Sequence, residues 1–237
     1  MLTKKYRVKE TIVTVTADEI YHAVCLDSVG RSRSDLERHI LEDPFFKVTF
    51  EPYDCPADAP EVVRRMVKAT ARVGVGPMAA VAGTIAWIAL EDMVKAGCTH
   101  GIIDNGGDIA LINDRTVVVG IYAGPSPITG LGLEIEPRNK ILGVCTSSAT
   151  VGPSISLGAS DAALILSEDV SLADAAATAL GNRIVDKNSL ATAFDFLRDT
   201  PEVSGAIGII GDRMATYGKL PKIVRANVEY EKITKGD

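Results

Sequence analysis

The chain has 237 residues, 46% hydrophobic and 24% charged, which is enough for a sizeable core in one domain (1–237) or in two tightly joined α+β halves. A net charge of -6 and the lack of any Lys/Arg stripe exclude nucleic acid as the main partner, because phosphate neutralisation needs clustered cations. Four scattered cysteines, Cys25, Cys55, Cys98 and Cys145, with no Cys-x-x-Cys pair, exclude a zinc-finger framework and read as reduced thiols.

The N-terminal Met-Leu-Thr-Lys-Lys-Tyr carries no apolar leader, and apolar runs elsewhere are too short or interrupted to span a bilayer, so a cytoplasmic chain without membrane contact is expected. Residues 4–16 alternate as one or two strands. From Asp18 the pattern turns helical, with Ile20, Val24, Leu36 and Ile40 on a buried stripe, a break near Gly30 and a stop at Pro44. A short strand is expected at Lys47 to Phe50, then a Pro- and Asp-rich connector. The helix that starts at Pro60 or Glu61 buries Val62, Val63, Met66 and Val67 and leaves Arg64, Arg65 and Lys68 to solvent.

Gly74-Val75-Gly76-Pro77 leads into the longest apolar helical pattern, Met78 to Gly97, with small residues Ala79, Ala82, Gly83 and Ala86 along one face. Tight packing on a sheet accounts for that face, and so does close approach of a flat ligand. Exposed N–H groups at the glycine loop, Gly76 included, suit an anion. Gly101 to Ile112 reads as strand, turn, strand, with Asn105-Gly106 a strong hairpin signal. The turn chemistry leaves the bracketing aspartates, Asp104 and Asp108, without an explanation.

Further strands are expected at Val117 to Tyr122, Leu131 to Ile135 and Ile141 to Cys145. Cys145 ends the last of these within a run of hydroxyls, Thr146, Ser147 and Ser148, whose donors would favour a thiolate. A buried, inert cysteine is the competing description. After a strand at Ala162 to Leu166, Ser171 is read as the N-cap of a helix closed by Gly181, with Asp174 at its third position. Asp174 and Thr178 then share a face near the positive end of the dipole, and the surrounding alanines leave room for a hard cation with a phosphate ligand. A close-packed alanine helix with a dipole-stabilising aspartate explains the same residues. A helix at Ser189 to Leu197, strands at Ala206 to Ile210, Met214 to Tyr217 and Ile223 to Val228, and a frayed tail from Glu229 complete the pattern. Hairpin-linked strands with grouped helices give α+β, with mostly antiparallel sheets and packed helices. Flat antiparallel edges are compatible with a homodimer, and the sequence does not set the oligomeric state.

Three segments together resemble the ApbE-like superfamily of FAD:protein FMN transferases. They are the helix after Gly74, the Asn105-Gly106-Gly107-Asp108 turn, and Ala173-Asp174-Ala175-Ala176-Ala177-Thr178-Ala179. Val75 to Gly83 and Val144-Cys145-Thr146-Ser147-Ser148 are similar to a short, leaderless branch common in methanogenic archaea. The resemblance implies a T-fold-like architecture and a flavin or nucleotide ligand. By the same resemblance Asp174 and Thr178 hold Mg²⁺ beside the FAD pyrophosphate, Asn105, Gly106, Gly107 and Asp108 lie against the nucleotide, and Thr146 and Ser147 stand beside the site.

The chain departs from the transferases in two places. Gly76 to Ala86 contains neither the lysine nor the aspartate of their glycine-loop helix, and no His-x-x-Asp-Pro-x-x-Gly segment follows Ser148. Pro153 stands where relatives of the short branch are expected to carry histidine. Asp108 or Asp104 is then the only nearby base for a flavin-transfer step. A second reading uses Cys145 in sulfur handling, since the resemblance connects this branch with sulfide incorporation into homocysteine. A third is a non-catalytic binding protein. His22, His39 and His100 lie outside any nucleophile motif.

Overall fold

The computed structural model describes residues 1–151 and 157–227. Pro153, Val228 and the tail from Glu229, with the expectations placed on them, lie outside the described residues. Two strands, β1 (Leu2–Val8) and β2 (Thr11–Ala17), open the chain. Helices α1 (His22–Glu42), α2 (Phe45–Val48), α3 (Glu61–Ala71) and α4 (Val81–Lys95) follow. Strands β3 (Gly101–Asn105), β4 (Asp108–Asn113), β5 (Val117–Ile121), β6 (Leu131–Ile135), β7 (Arg138–Ser147) and β8 (Ala162–Ser167) lead to α5 (Val170–Arg183). Then come β9 (Val203–Ile210), β10 (Arg213–Gly218) and β11 (Lys222–Arg225).

Eight strands form one sheet in the order β1-β2-β3-β4-β7-β8-β9-β10, and β11-β6-β5 form a second; every described pairing is antiparallel. Strands of the large sheet lie in chain order, with helices inserted after β2 and after β8, and the chain leaves after β4 to build β5 and β6 before returning as β7. Alternation then sorts the side chains. Val13, Val15, Ile103, Ala110, Cys145 and Ile165 face the helices. Leu111, Leu142, Val144, Leu164 and Ile207 face the small sheet. Covered on both faces, β8 is buried at all six positions and reads as Ala-Ala-Leu-Ile-Leu-Ser with no polar alternation.

Several local expectations are corrected. α1 runs unbroken through Gly30, where an added Cβ would meet nothing within 4 Å, so this glycine lowers helix propensity without a steric reason to break the helix. Its buried stripe is Cys25, Val29 and Leu36 with His22, Ser28, Ser32 and His39, while Ile20 is 75% exposed. Residues 45–48 are a helical turn and not a strand. Asp43 Oδ1 accepts the Phe45 N–H, and Phe46 is the buried anchor, edge-on to His39 and Tyr53. The expected helix at 189–197 is two 3₁₀ turns, Ser189–Ala191 and Asp195–Asp199.

Against the sequence expectation, Pro77–Lys95 is long and apolar enough to cross a bilayer, with a mean hydropathy of 1.3. Half of it is buried, against the large sheet on one side and α1, α3 and α5 on the others, which is the environment of a core helix.

Candidate functional site

The residues singled out by sequence converge where the start of α4, the β3–β4 turn, the end of β7 and the first half of α5 meet. α5 begins two residues earlier than expected. Its N-cap is Asp169, whose carboxylate accepts the Leu172 N–H at 2.9 Å, and the helix continues past Gly181 to Arg183. Asp174 is therefore the fifth helical residue, too far in to serve its own helix dipole. It serves another one. Asp174 Oδ2 accepts the N–H of Gly83 at 2.7 Å, with the Ala82 N–H alongside, in the first turn of α4.

That contact answers a need visible in α4 itself, whose start at Ala80 offers no side-chain cap. Three consecutive residues there are held from outside the helix. Asn105 donates from Nδ2 to Ala82 O at 3.0 Å, Asp174 accepts from Gly83, and Thr84 Oγ1 donates to Ser171 Oγ at 2.8 Å. Gly83 must be glycine, because a Cβ would lie 2.8 Å from Asp174 Cβ. A carboxylate of the protein thus occupies the helix N-terminus at Ala82 and Gly83, six residues beyond the Gly76 loop expected to hold an anion. Sequence reasoning missed Thr84 and gave Ser171 to the cap of its own helix; the signal was a helix start with no Ser, Thr, Asp or Asn to cap it.

Across the sheet, Asp108 opens β4 directly opposite Cys145 on β7, on the face that carries α5. Asp108 Oδ1 is buried and has no hydrogen-bond partner. Burial first, then the charges of Asp174 and Asp104, push the Asp108 carboxyl well above its usual range, offset in part by the neighbouring Cys145 thiol and Thr146 N–H. Burial raises Asp174 to about 7, against its hydrogen bonds to Gly83 and Ala82. Two desolvated carboxyls held within electrostatic reach are a source of strain that a proton or a cation relieves.

The other expected residues fall into two groups. Thr178 stands half-buried one turn beyond Asp174 on the same face of α5, and Ser147 lies two residues beyond Cys145 on the same face of β7. Gly106 and Gly107 form the two-residue hairpin turn, with φ of 72° and 100°, and a Cβ on Gly107 would lie 3.8 Å from Thr146 O. Asp104 is occupied by that turn, accepting the Gly107 N–H at 2.9 Å. Gly76 has a packing reason of its own, since a Cβ there would lie 2.0 Å from Thr49 O.

Cys145 does not have the setting expected of a thiolate. It is wholly buried, and burial together with the Asp108 and Asp174 charges pushes its pKa well above the ordinary thiol value. The hydroxyls that follow it do not reverse this. None of the three histidines joins the site. His22 contacts Tyr6 and Ala17 O, His39 packs on Phe46 and Tyr53, and His100 pairs with Asp114 at the far end of β4. A cleft of about 640 Å³ also lies at that far end, under the last turn of α4, between Val94, Asn113 and Arg138.

The donor set suits a hard cation in part. Asp108 Oδ1 is orphaned, the Asp174 carboxylate already accepts from the Gly83 and Ala82 N–H groups, and Thr178 adds a hydroxyl on the same face of α5. Among the described residues no three His, Cys, Asp or Glu side chains form a ready-made ligand set, so water and ligand phosphate would complete the coordination, as is usual for Mg²⁺.

Comparison with known proteins gives a consistent result. The family described as AbpE bacteria matches residues 4–196. The chain is 72% identical over 235 residues to a UPF0280 protein of Methanocella arvoryzae, covering 99% of this chain and 96% of that one. It is 55% identical over 236 residues to a UPF0280 protein of Methanosarcina barkeri, covering 99% and 93%. Among solved structures, the apo flavinyl transferase ApbE of Pseudomonas stutzeri superposes with a TM-score of 0.54 at 13% identity, over 91% of this chain and 94% of that one. The ApbE protein of Thermotoga maritima gives 0.55 at 10% identity, over 95% and 96%.

Proposed function

The chain belongs to the ApbE-like family and, within it, to the UPF0280 proteins, and from that premise we propose that it binds a flavin or adenine nucleotide, FAD first among them, together with Mg²⁺. One observation carries the reading: Asp108 and Asp174 are brought together from β4 and α5 with a buried carboxylate oxygen that the protein leaves unpartnered. A proton relieves the strain of that arrangement, and a bound cation would relieve it in its place. When bound, Mg²⁺ would neutralise phosphate charge beside the two carboxylates.

The chain's own residues then divide the work. Asp108, Asp174 and Thr178 hold the cation, the tight Gly106-Gly107 turn lets a nucleotide approach the backbone, and the bonds to residues 82–84 fix the floor of the site. Flavin transfer lacks support from the described residues, because no histidine lies in the site and Asp108 is the remaining base. Binding is therefore the function that the geometry favours over transfer. The sulfur reading loses its support with the burial of Cys145.

Titration of the purified protein with FAD, FMN and ADP in the presence of Mg²⁺ tests the proposal. Saturable binding of at least one of them is the expected result. No binding of any nucleotide overturns it.

A further inference from the structure

Three glycines lie where α4, α5 and β7 meet, and packing explains two of them. A Cβ on Gly83 would lie 3.0 Å from Val170 O, and one on Gly143 would lie 2.9 Å from Val170 Cα. Gly181 is different. It sits inside α5, where glycine is less favourable than alanine, and its φ is not in the left-handed region. The nearest atoms to an added Cβ are Ser147 Oγ and Ser160 Oγ, both at 3.4 Å, which is ordinary contact. Nothing in the packing requires the bare α-carbon.

Ser160 supplies an independent observation. It is wholly buried, and its hydroxyl has no hydrogen-bond partner. A buried hydroxyl without a partner is costly, and this one points into the space over Gly181. Gly181 follows Asp174 at i+7 and Thr178 at i+3, so all three share a face of α5. Ser147, half-buried, connects the space to the end of β7.

We propose that the space over the Gly181 α-carbon, between the Ser147 and Ser160 hydroxyls, is an anion subsite that receives one phosphoryl oxygen of the bound nucleotide. It rests on the nucleotide-binding reading above. The two hydroxyls donate to the oxygen, and a side chain at position 181 would fill its place. Seven residues of helix separate the subsite from Asp174 by about 10 Å, within the length of a nucleoside diphosphate.

The test compares the wild type, Gly181→Ala and Ser160→Ala by thermal melting and by calorimetric titration with ADP and with FAD, each with Mg²⁺. Both variants are expected to melt at or above the wild-type midpoint, because one improves a helix and the other removes an orphaned hydroxyl. Both are expected to bind roughly tenfold more weakly or worse. Should Gly181→Ala melt lower, Ser160→Ala alone decides, since it adds no bulk. Wild-type affinity in the deciding variants overturns the subsite and leaves the space to a buried water. A wild type that binds neither ADP nor FAD, and does not bind FMN either, overturns the proposed function itself, a separate failure that takes the subsite with it.

Discussion

At the scale of single residues, Asp174 carries both a structural and a chemical burden. Its folded pKa, about 7, lies above the ordinary 3.8, so the folded protein holds that proton more tightly than the unfolded chain does. The stability this provides is fully present below about pH 4 and is lost as pH rises through 7. Asp174→Asn keeps an acceptor for the Gly83 N–H and cannot ionise. Urea unfolding at graded pH should therefore find the wild type losing stability relative to Asp174→Asn between about pH 4 and pH 7; a constant difference would contradict the burial of an ionisable carboxyl there. The cysteines make a second residue-scale case. Burial raises Cys25 to about 12 and raises Cys55, Cys98 and Cys145 as well, but Cys55 alone of the four is exposed. A thiol reagent at pH 8 should modify one thiol quickly in the native protein, and Cys55→Ser should abolish that phase. Fast reaction at Cys145 would restore the sulfur reading. The Cys145 environment could not be read from the sequence, because the carboxylates that set it come from β4 and α5.

At the scale of elements, the start of α4 is the feature on which the site depends. Gly83→Ala would drive a methyl into Asp174 Cβ and Val170 O and push α4 from α5, an overpacking that costs about 1–3 kcal/mol. Chemical denaturation should register that loss, and nucleotide binding should weaken with it, since the displaced partner is the proposed cation ligand. A variant as stable as the wild type would mean that the two helices separate easily. Most elements were legible because their signals are local: Asn-Gly for the β3–β4 hairpin, Gly97 for the end of α4, alternation for β1 and β2. The errors arose where two local signals compete. Ser171 is as good a cap as Asp169, and the short Phe-Phe-Lys-Val run has strand composition while Pro44 and Asp43 begin a helical turn. The cap of α4 was beyond local reading, because its acceptor lies on α5.

At the scale of the molecule, a helical layer, an eight-stranded sheet and a three-stranded sheet place the polar residues at one end of the central strands. The α+β class and the ApbE-like family follow from motifs spread along the chain, and the fold comparison agrees over more than nine-tenths of its length. The pairing of Asp108 with Asp174 is a product of that architecture: β4 and α5 are distant in sequence, and the sheet order brings β4 beside β7, on which α5 packs. The central claim is that this pair is a cation corner serving a nucleotide. The most direct measurement is calorimetric titration of FAD into the wild type and Asp174→Asn, each with and without Mg²⁺. Saturable binding to the wild type that requires Mg²⁺ and disappears in Asp174→Asn is the expected result. Binding of equal strength without Mg²⁺, or equal strength in Asp174→Asn, would contradict it.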